Sequence, residues 1–457
     1  MPQFTEVAYD NVKDFVFGTA KYPVTLKNGI VIGGGKVIPE VNFTLPPMAV
    51  SEATWPEVIR QYREIAEGIS IRAKELEFPA FVAEIEVLPP MTFNPKWGAE
   101  VCKTVVDVVK KHEGKGGAKG AVRLTPVDIR EGKGVTHMWR GSHWDRVLEA
   151  FELAADAGAD LLAIESIGGK EVHDEANMYA DIAKSIFALG VIGARDMEKL
   201  WTEIVRIAKA KDSVASGDTA CGFANTAMVL AERNMIPKVF SAAVRAVASV
   251  RTLVAVEVGA VGPDKDCGYE GPFIKAISGT PISMEGRSAA GAHLSSVGNV
   301  AGCVCDLWSN ESIQNIKLLS GFAPTVGIEQ LIYDARLFNA AIARGPEATL
   351  LLRDLHAESD SQLNPEAYIL QPEIVIAISK ELVKERGHYA KAKKAAEQAL
   401  LHIQKGCQDG KLILSSRETD YVESLLETVA DLPSDEGKFI DSIAGDCEKF
   451  DPKMYDM

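Results

Sequence analysis

The chain has 457 residues, of which 47% are hydrophobic and 25% charged, with a formal net charge of −15. Such values belong to a folded globular protein long enough for one large barrel with an appendage or for roughly two to three domains. The acidic balance excludes nucleic-acid binding through a general basic face. Seven cysteines, an odd number, argue against a secreted disulfide framework and for a reducing cytoplasm. Met1 to Glu6 lacks the basic and apolar regions of a secretory signal. The most apolar window, Pro237 to Gly262, is broken by Lys238, Arg245, Arg251 and Glu257, which excludes a membrane span.

Residues 1–50 read as extended and turn-rich. Val31-Ile-Gly-Gly-Gly-Lys-Val-Ile38 has no Ser or Thr after Lys36 and no third glycine at Ile38, so it reads as a turn between short strands rather than a phosphate loop. Trp55 to Glu77 carries Val58, Ile59, Tyr62, Ile65 and Ile69 on one helical face. Phe78 to Leu88 is a predicted strand stopped by Pro89 and Pro90, Lys96 to His112 a helix, and Ala121 to Thr125 a short strand. His143 to Ala157 is a helix with Ser142 as its expected N-cap and Gly158 closing it, and the strand Leu161 to Glu165 follows.

Helices are expected over 175–189 and 196–210, then a strand leading to Cys221, and helices over 224–234 and 236–250. The run Thr252 to Val256 reads as a strand leading to Cys267. After it come a helix over 272–278, the strand Pro281 to Met284, a helix over 296–307 and a long helix over 325–343. Strands separated by helices imply parallel pairing with crossovers, and their number over residues 30–345 favours a closed (β/α)8 TIM barrel. From Gly345 onward the texture is helical, over 346–357, 373–385, 388–404 and 417–430, with one short strand expected at Lys411 to Ser415. The expected organisation is an α/β barrel with an N-terminal extension, carrying catalysis, over 1–345, and a helical C-terminal region packed on it over 346–457.

Three side chains stand just past expected strands: Glu165, Cys221 and Cys267. One carboxylate and two thiols form a three-donor zinc set with an open fourth position. Widely spaced single residues are a weaker signal than a Cys-x-x-Cys pair, and the competing reading makes the cysteines small residues in buried turns. Asp218 and Asp266, beside the two cysteines, either support ligands or bond turn backbone. Glu84 and Glu86 share one strand face and need partners if it points inward. His293 follows a strand and Asn94 sits past a strand end, while Cys303, Cys305 and Cys102 fall in helical patterns and read as core.

The segments Ala163-Ile-Glu-Ser-Ile-Gly-Gly-Lys-Glu-Val172, Ser216-Gly-Asp-Thr-Ala-Cys-Gly-Phe-Ala-Asn-Thr-Ala-Met228 and Gly259-Ala-Val-Gly-Pro-Asp-Lys-Asp-Cys-Gly-Tyr-Glu270 resemble the methanol:corrinoid methyltransferase family. Lys21 to Val24, Asn94 to Glu100, Met284 to Gly286 and Trp308 to Ser312 add to that resemblance, which runs from about residue 20 into the C-terminal helices. It implies a barrel that binds one zinc ion through Glu165, Cys221 and Cys267. It also implies a small corrinoid-binding partner carrying the cobalamin, methanol as methyl donor, and a homodimer or a heterotetramer with the corrinoid protein. Ala220 and Gly222-Phe223, flanking Cys221, vary from the family and leave room for another small alcohol or a methyl ether as donor. The rivals from other classes are a corrinoid-independent zinc lyase or aldolase, which would lean on histidine ligands, and a scaffold that binds partners through its helices. An acidic neighbour, Asp218 or Asp266, is expected to manage the alcohol proton.

Overall fold

The computed structural model describes residues 3–132, 134–313, 317–318 and 321–457. An antiparallel hairpin of β1 (Thr19–Thr25) and β2 (Val31–Gly34) precedes a sheet of parallel strands. These are β3 (Ile38–Thr44), β4 (Ala80–Glu86), β5 (Lys119–Thr125), β6 (Leu161–Ile164), β7 (Val214–Asp218), β8 (Ser283–Glu285) and β9 (Leu307–Ile313). The seven strands lie in the order β7-β6-β5-β4-β3-β9-β8.

The gap between β7 and β8 is filled by an irregular segment. Val261 and Gly262 donate their amides to Ala215 and Ser216 carbonyls of β7 at 3.0 and 2.8 Å. On the other side the Ser283 amide of β8 donates to Asp264 Oδ1 at 2.7 Å. With this segment in the eighth position the sheet closes into the expected barrel. Gly262 is required there: its φ is +78°, and a Cβ would lie 2.4 Å from the Pro281 carbonyl oxygen.

Strand alternation explains the barrel interior. Glu40, Asn42, Glu84 and Arg123 are buried inward-facing residues, and the parallel register sets Asn42 beside Glu84 and Glu84 beside Arg123. A charge there survives only if paired. Arg123 Nε donates to Glu40 Oε1 at 2.9 Å, and its Nη1 donates to the Asp264 carbonyl at 2.8 Å. Outward-facing apolar residues join the helices in one continuous core. A separate small cluster joins Val24, Leu26, Ile30 and Ile32 of the hairpin to Ile38, Val82, Ala121 and Leu307 at the strand starts. The hairpin therefore plugs the N-terminal end, leaving the C-terminal end for the site.

Several local expectations change. Thr252–Val256 is the last part of the helix Lys238–Glu257, not a strand. That helix is buried on nearly every face, between the barrel and the helix His388–Gln408, so its apolar run carries no helical periodicity. It is long and apolar enough to cross a membrane, yet 94% of its most apolar stretch is buried inside the protein. The expected helix 296–307 is a short 3-10 turn, Val300–Cys303, followed by β9. Lys411–Ser415 forms no strand; Ser415 caps the helix Ser416–Asp431 by accepting from the Glu418 amide. Gly141, at φ 90°, is the N-cap of the helix Ser142–Ala157, so Ser142 lies inside it. The segment expected as helices 175–189 and 196–210 starts earlier, with Lys170–Tyr179 and Ile182–Ile186. It then passes through a π-turn, Phe187–Gly193, into Ala194–Ala210. Beyond Gly345 the helices Pro346–Ser361, Pro372–Leu382, His388–Gln408 and Ser416–Asp431 match the expected helical region, and their apolar faces share the barrel's core.

Candidate active site

Glu165 follows β6, Cys221 opens the turn after β7, and Cys267 follows the irregular eighth segment. All three reach the C-terminal mouth, where strand-end loops converge. One donor atom from each lies within 4.8 Å of the other two, and Cys267 Sγ donates to Glu165 Oε1 at 3.3 Å.

Two loops are held from behind. Asp218, the last residue of β7, is buried and accepts from the Ser166 amide at 3.2 Å, Trp201 Nε1 at 2.8 Å and Arg251 Nη1 at 3.3 Å. It braces the residue after Glu165, and its carboxylate is spent on these partners. Asp266 has different neighbours: it lies 3.3 Å from Cys267 Sγ and accepts from Asn42 Nδ2 at 2.9 Å and Ser309 Oγ at 3.1 Å. Of the two aspartates, Asp266 alone touches a thiol of the cluster among these contacts.

Lys265 organises the charge. Its fully buried ammonium bonds Glu86 and Asp266 closely and lies 3.2 Å from Glu165 Oε1, 3.6 Å from Glu84 Oε1 and 3.5 Å from Cys267 Sγ. Burial works against the Asp266 anion, but Lys265 outweighs it and holds that carboxyl below its usual range. Glu84 is pushed well above its range by burial and then by Asp266. Glu84 Oε1 accepts from Thr125 Oγ1 at 2.6 Å.

A second acidic patch adjoins the cluster at the ends of β8 and β9. Glu311 Oε1 lies 3.4 Å from Cys267 Sγ, and His293 Nδ1 lies 3.2 Å from Glu285 Oε2. Burial, then Glu86 and Asp266, push Glu311 up to about 8, and the Glu285 hydrogen bond lifts His293 to about 9. The Cys267 hydrogen bond pulls the Cys221 thiol down, but burial and the carboxylates of Glu165, Glu285 and Glu311 push it up to about 12. A metal-free site of this kind holds thiols, and a cation must displace their protons.

A cavity of about 370 Å³ opens onto Glu86 and Glu165, with Val87, Leu88, Val127 and Ile167 in its wall. Asn94 is placed differently: its backbone joins two helices, Pro89–Phe93 and Pro95–Glu113. Cys303, Cys305 and Cys102 are buried, as expected of core residues, and all seven cysteines are free.

The family model described as methanol–cobalamin methyltransferase B subunit, MtaB, matches residues 1–456. The chain belongs to that family. It is an enzyme, a methyltransferase. A methanol–corrinoid protein co-methyltransferase of Methanosarcina barkeri (strain Fusaro / DSM 804) is 38% identical over 462 residues, covering 99% of each chain. The crystal structure of the methanol:cobalamin methyltransferase complex MtaBC from Methanosarcina barkeri contains a chain matching this one at a TM-score of 0.95. Identity to it is 36%, and 100% of both chains is covered.

Within this MtaB-family site, Glu84 and Glu86 lie on one face of β4, and His293 follows the short helix Arg287–Ala292 after β8. Lys265 and Glu311 are site residues that sequence reasoning misses. Lys265 has a signal, a lone cation between Asp264 and Asp266 in the Cys267 motif. Glu311 has one only through β9, whose first residue the sequence pattern assigns to the end of a helix.

Proposed function

We propose that the protein binds one zinc ion through Glu165, Cys221 and Cys267, takes methanol as donor, and transfers its methyl group to the Co(I) corrinoid of a partner protein. The observation that carries this is the convergence of three donors, from the ends of β6 and β7 and from the irregular eighth segment, within 4.8 Å. Two thiols and a carboxylate are a donor set that suits zinc and leaves a position for substrate. Held there, zinc supplies Lewis acidity toward the alcohol oxygen.

The chain's own residues do the rest. Asp218 braces the Glu165 loop through the Ser166 amide. Lys265 offsets the charge of Asp266 and Glu86, so the ligands are not driven apart by uncompensated carboxylates. As the methyl carbon leaves, the C–O electron pair stays on oxygen, which must gain or keep a proton. Asp266, an ionised carboxylate in contact with Cys267, is placed to hold the alcohol proton as an acceptor, and Asp218 is a brace. The partner's corrinoid brings the nucleophile, and this chain binds and orients the donor. A cytoplasmic homodimer, or a heterotetramer with the corrinoid protein, belongs to the same reading.

A second reading keeps the site and changes the donor to another small alcohol or a methyl ether. The cavity of about 370 Å³ beside Glu165 leaves space for such a donor.

The test is metal content together with cob(I)alamin methylation from methanol, for wild type and Cys267→Ala. About one zinc per chain and methanol-dependent methylcobalamin, both lost in the variant while the fold is kept, are expected. Zinc without methanol turnover moves the donor to the second reading, and stoichiometric zinc with full activity in the variant overturns the ligand assignment.

A further inference from the structure

Cys221 sits at the end of a line of side chains that begins in the helical C-terminal region. Glu366, on the short helix Pro365–Ile369, accepts from Arg245 Nε and Nη2 at 3.2 and 3.1 Å. Arg245, on the helix Lys238–Glu257, donates through Nη1 to Asn225 Oδ1 at 2.8 Å. Asn225 donates through Nδ2 to Cys221 Sγ at 3.2 Å. Glu366, Arg245 and Asn225 are 3%, 0% and 5% exposed, so water does not compete for these bonds.

The chemistry leaves one orientation for the amide. A guanidinium only donates, so the Asn225 carbonyl must face Arg245 and its NH2 must face the sulfur. Arg245 is itself fixed by Glu366 and by the Tyr269 ring, whose centroid lies 5.2 Å from its Cζ. Ser241 Oγ closes on Glu366 from the other side.

From this geometry we infer that Asn225 is a positioning residue that weakens the donor strength of the Cys221 thiolate, and that Glu366 and Arg245 hold it in that role. The inference rests on the zinc reading above. Two thiolates and one carboxylate give bound Zn2+ a formal charge of −1, a poor Lewis acid. An N–H directed at a thiolate draws charge off sulfur, and less of it reaches the metal. The other sulfur has its own donor, Lys265 Nζ at 3.5 Å from Cys267 Sγ. Both thiolates are thus partly neutralised from the protein side, and the metal keeps the acidity that an alcohol oxygen requires. The helical region thereby acquires a chemical role, because Glu366 aligns, through Arg245, the amide behind a ligand.

The test uses the full chain with Co2+ in place of zinc, whose thiolate-to-cobalt charge-transfer band reports sulfur donation. Asn225→Leu should move that band to lower energy with cobalt still bound at about one per chain. With zinc it should slow methyl transfer about tenfold, the effect of losing one hydrogen bond to a charged group. Glu366→Gln, far from the metal, should shift the band in the same direction by less, and it decides the matter if Asn225→Leu fails to fold. A merely structural Asn225 would change stability and leave the band in place. Wild type that binds cobalt through thiolates, with an unmoved band in the variants, overturns this inference and leaves the zinc reading standing. Wild type with no thiolate–cobalt band overturns the zinc reading itself.

Discussion

Lys265→Met removes the one ammonium among the described residues that lies against Glu84, Glu86, Glu165, Asp266 and Cys267, and keeps most of the buried stem. Lys265 and Asp266 are both 0% exposed, so the Asp266 carboxylate would be left in a dry interior beside Glu86. Breaking a buried pair from one side costs about 3–5 kcal/mol. The cost depends on pH with a definite sign. In wild type the Asp266 carboxyl is held below its usual range, so its contribution is present above the unfolded pKa and is lost as pH falls through the folded one. In the variant burial dominates and the folded pKa rises, so the penalty grows as pH climbs above the unfolded value. Proton uptake relieves about 1.4 kcal/mol per pH unit for one group. The deficit relative to wild type should then be about 3–5 kcal/mol at pH 8 and shrink to roughly 1 kcal/mol at pH 5. Urea unfolding of both proteins, stripped of metal by a chelator, measures it at the two pH values. A deficit below about 1 kcal/mol at pH 8, or one equal at both, would refute the claim that Lys265 is the site's structural counter-charge.

Buried groups near the mouth give two further outcomes. Burial holds His173 down to about 3, so the folded protein keeps it neutral while the unfolded chain protonates it near its ordinary value. Stability should therefore fall as pH drops from about 6.5, by up to ~1.4 kcal/mol per unit, and His173→Leu should remove that share of the slope in denaturation at pH 7 and pH 5. Tyr455, near the C-terminus, accepts from the Gly169 amide at 2.9 Å, four residues after Glu165. Tyr455→Phe should cost about 1 kcal/mol and speed hydrogen exchange at the Gly169 amide several-fold, and an unchanged rate there would remove the tail's part in holding that loop.

The barrel is legible in the sequence where strands and helices keep distinct periods. Trp55–Glu75 shows its apolar stripe, and β4 and β6 are short apolar runs between breakers. It is illegible where burial erases the pattern. Lys238–Glu257 packs on the barrel with one face and under the helix His388–Gln408 with another, so Thr252–Val256 looks like a strand whichever structure it adopts. β9 is hidden for the opposite reason: its inward residues beyond Leu307 are polar, and Trp308 faces outward against Phe338. Ser309 and Glu311 face the site, and a strand that feeds a polar barrel interior does not alternate as a solvated one does.

The same physics accounts for what the sequence reveals and withholds of the site. Glu165, Cys221 and Cys267 can be found because each follows a segment boundary marked by small or turn-forming residues, and position past a boundary survives even where the preceding element is not the one its composition suggests. Cys267 does not follow a strand of its own motif's apolar run. It follows an irregular segment whose Gly262 must approach Pro281 too closely for any side chain. Asn225 carries no such mark, and the place of Lys265 in the Cys267 turn does not say what it holds, since their meaning lies in partners distant along the chain: Lys265 in Glu86 and Glu165, Asn225 in Arg245 and through it Glu366. Ligands announce themselves by chemistry and place, whereas the groups that set a ligand's charge are ordinary polar residues until the fold closes around them. That is why a buried N–H on each sulfur is the feature by which the geometry adds most to the motif: on the zinc reading proposed above, it would offset a formally over-neutralised donor set.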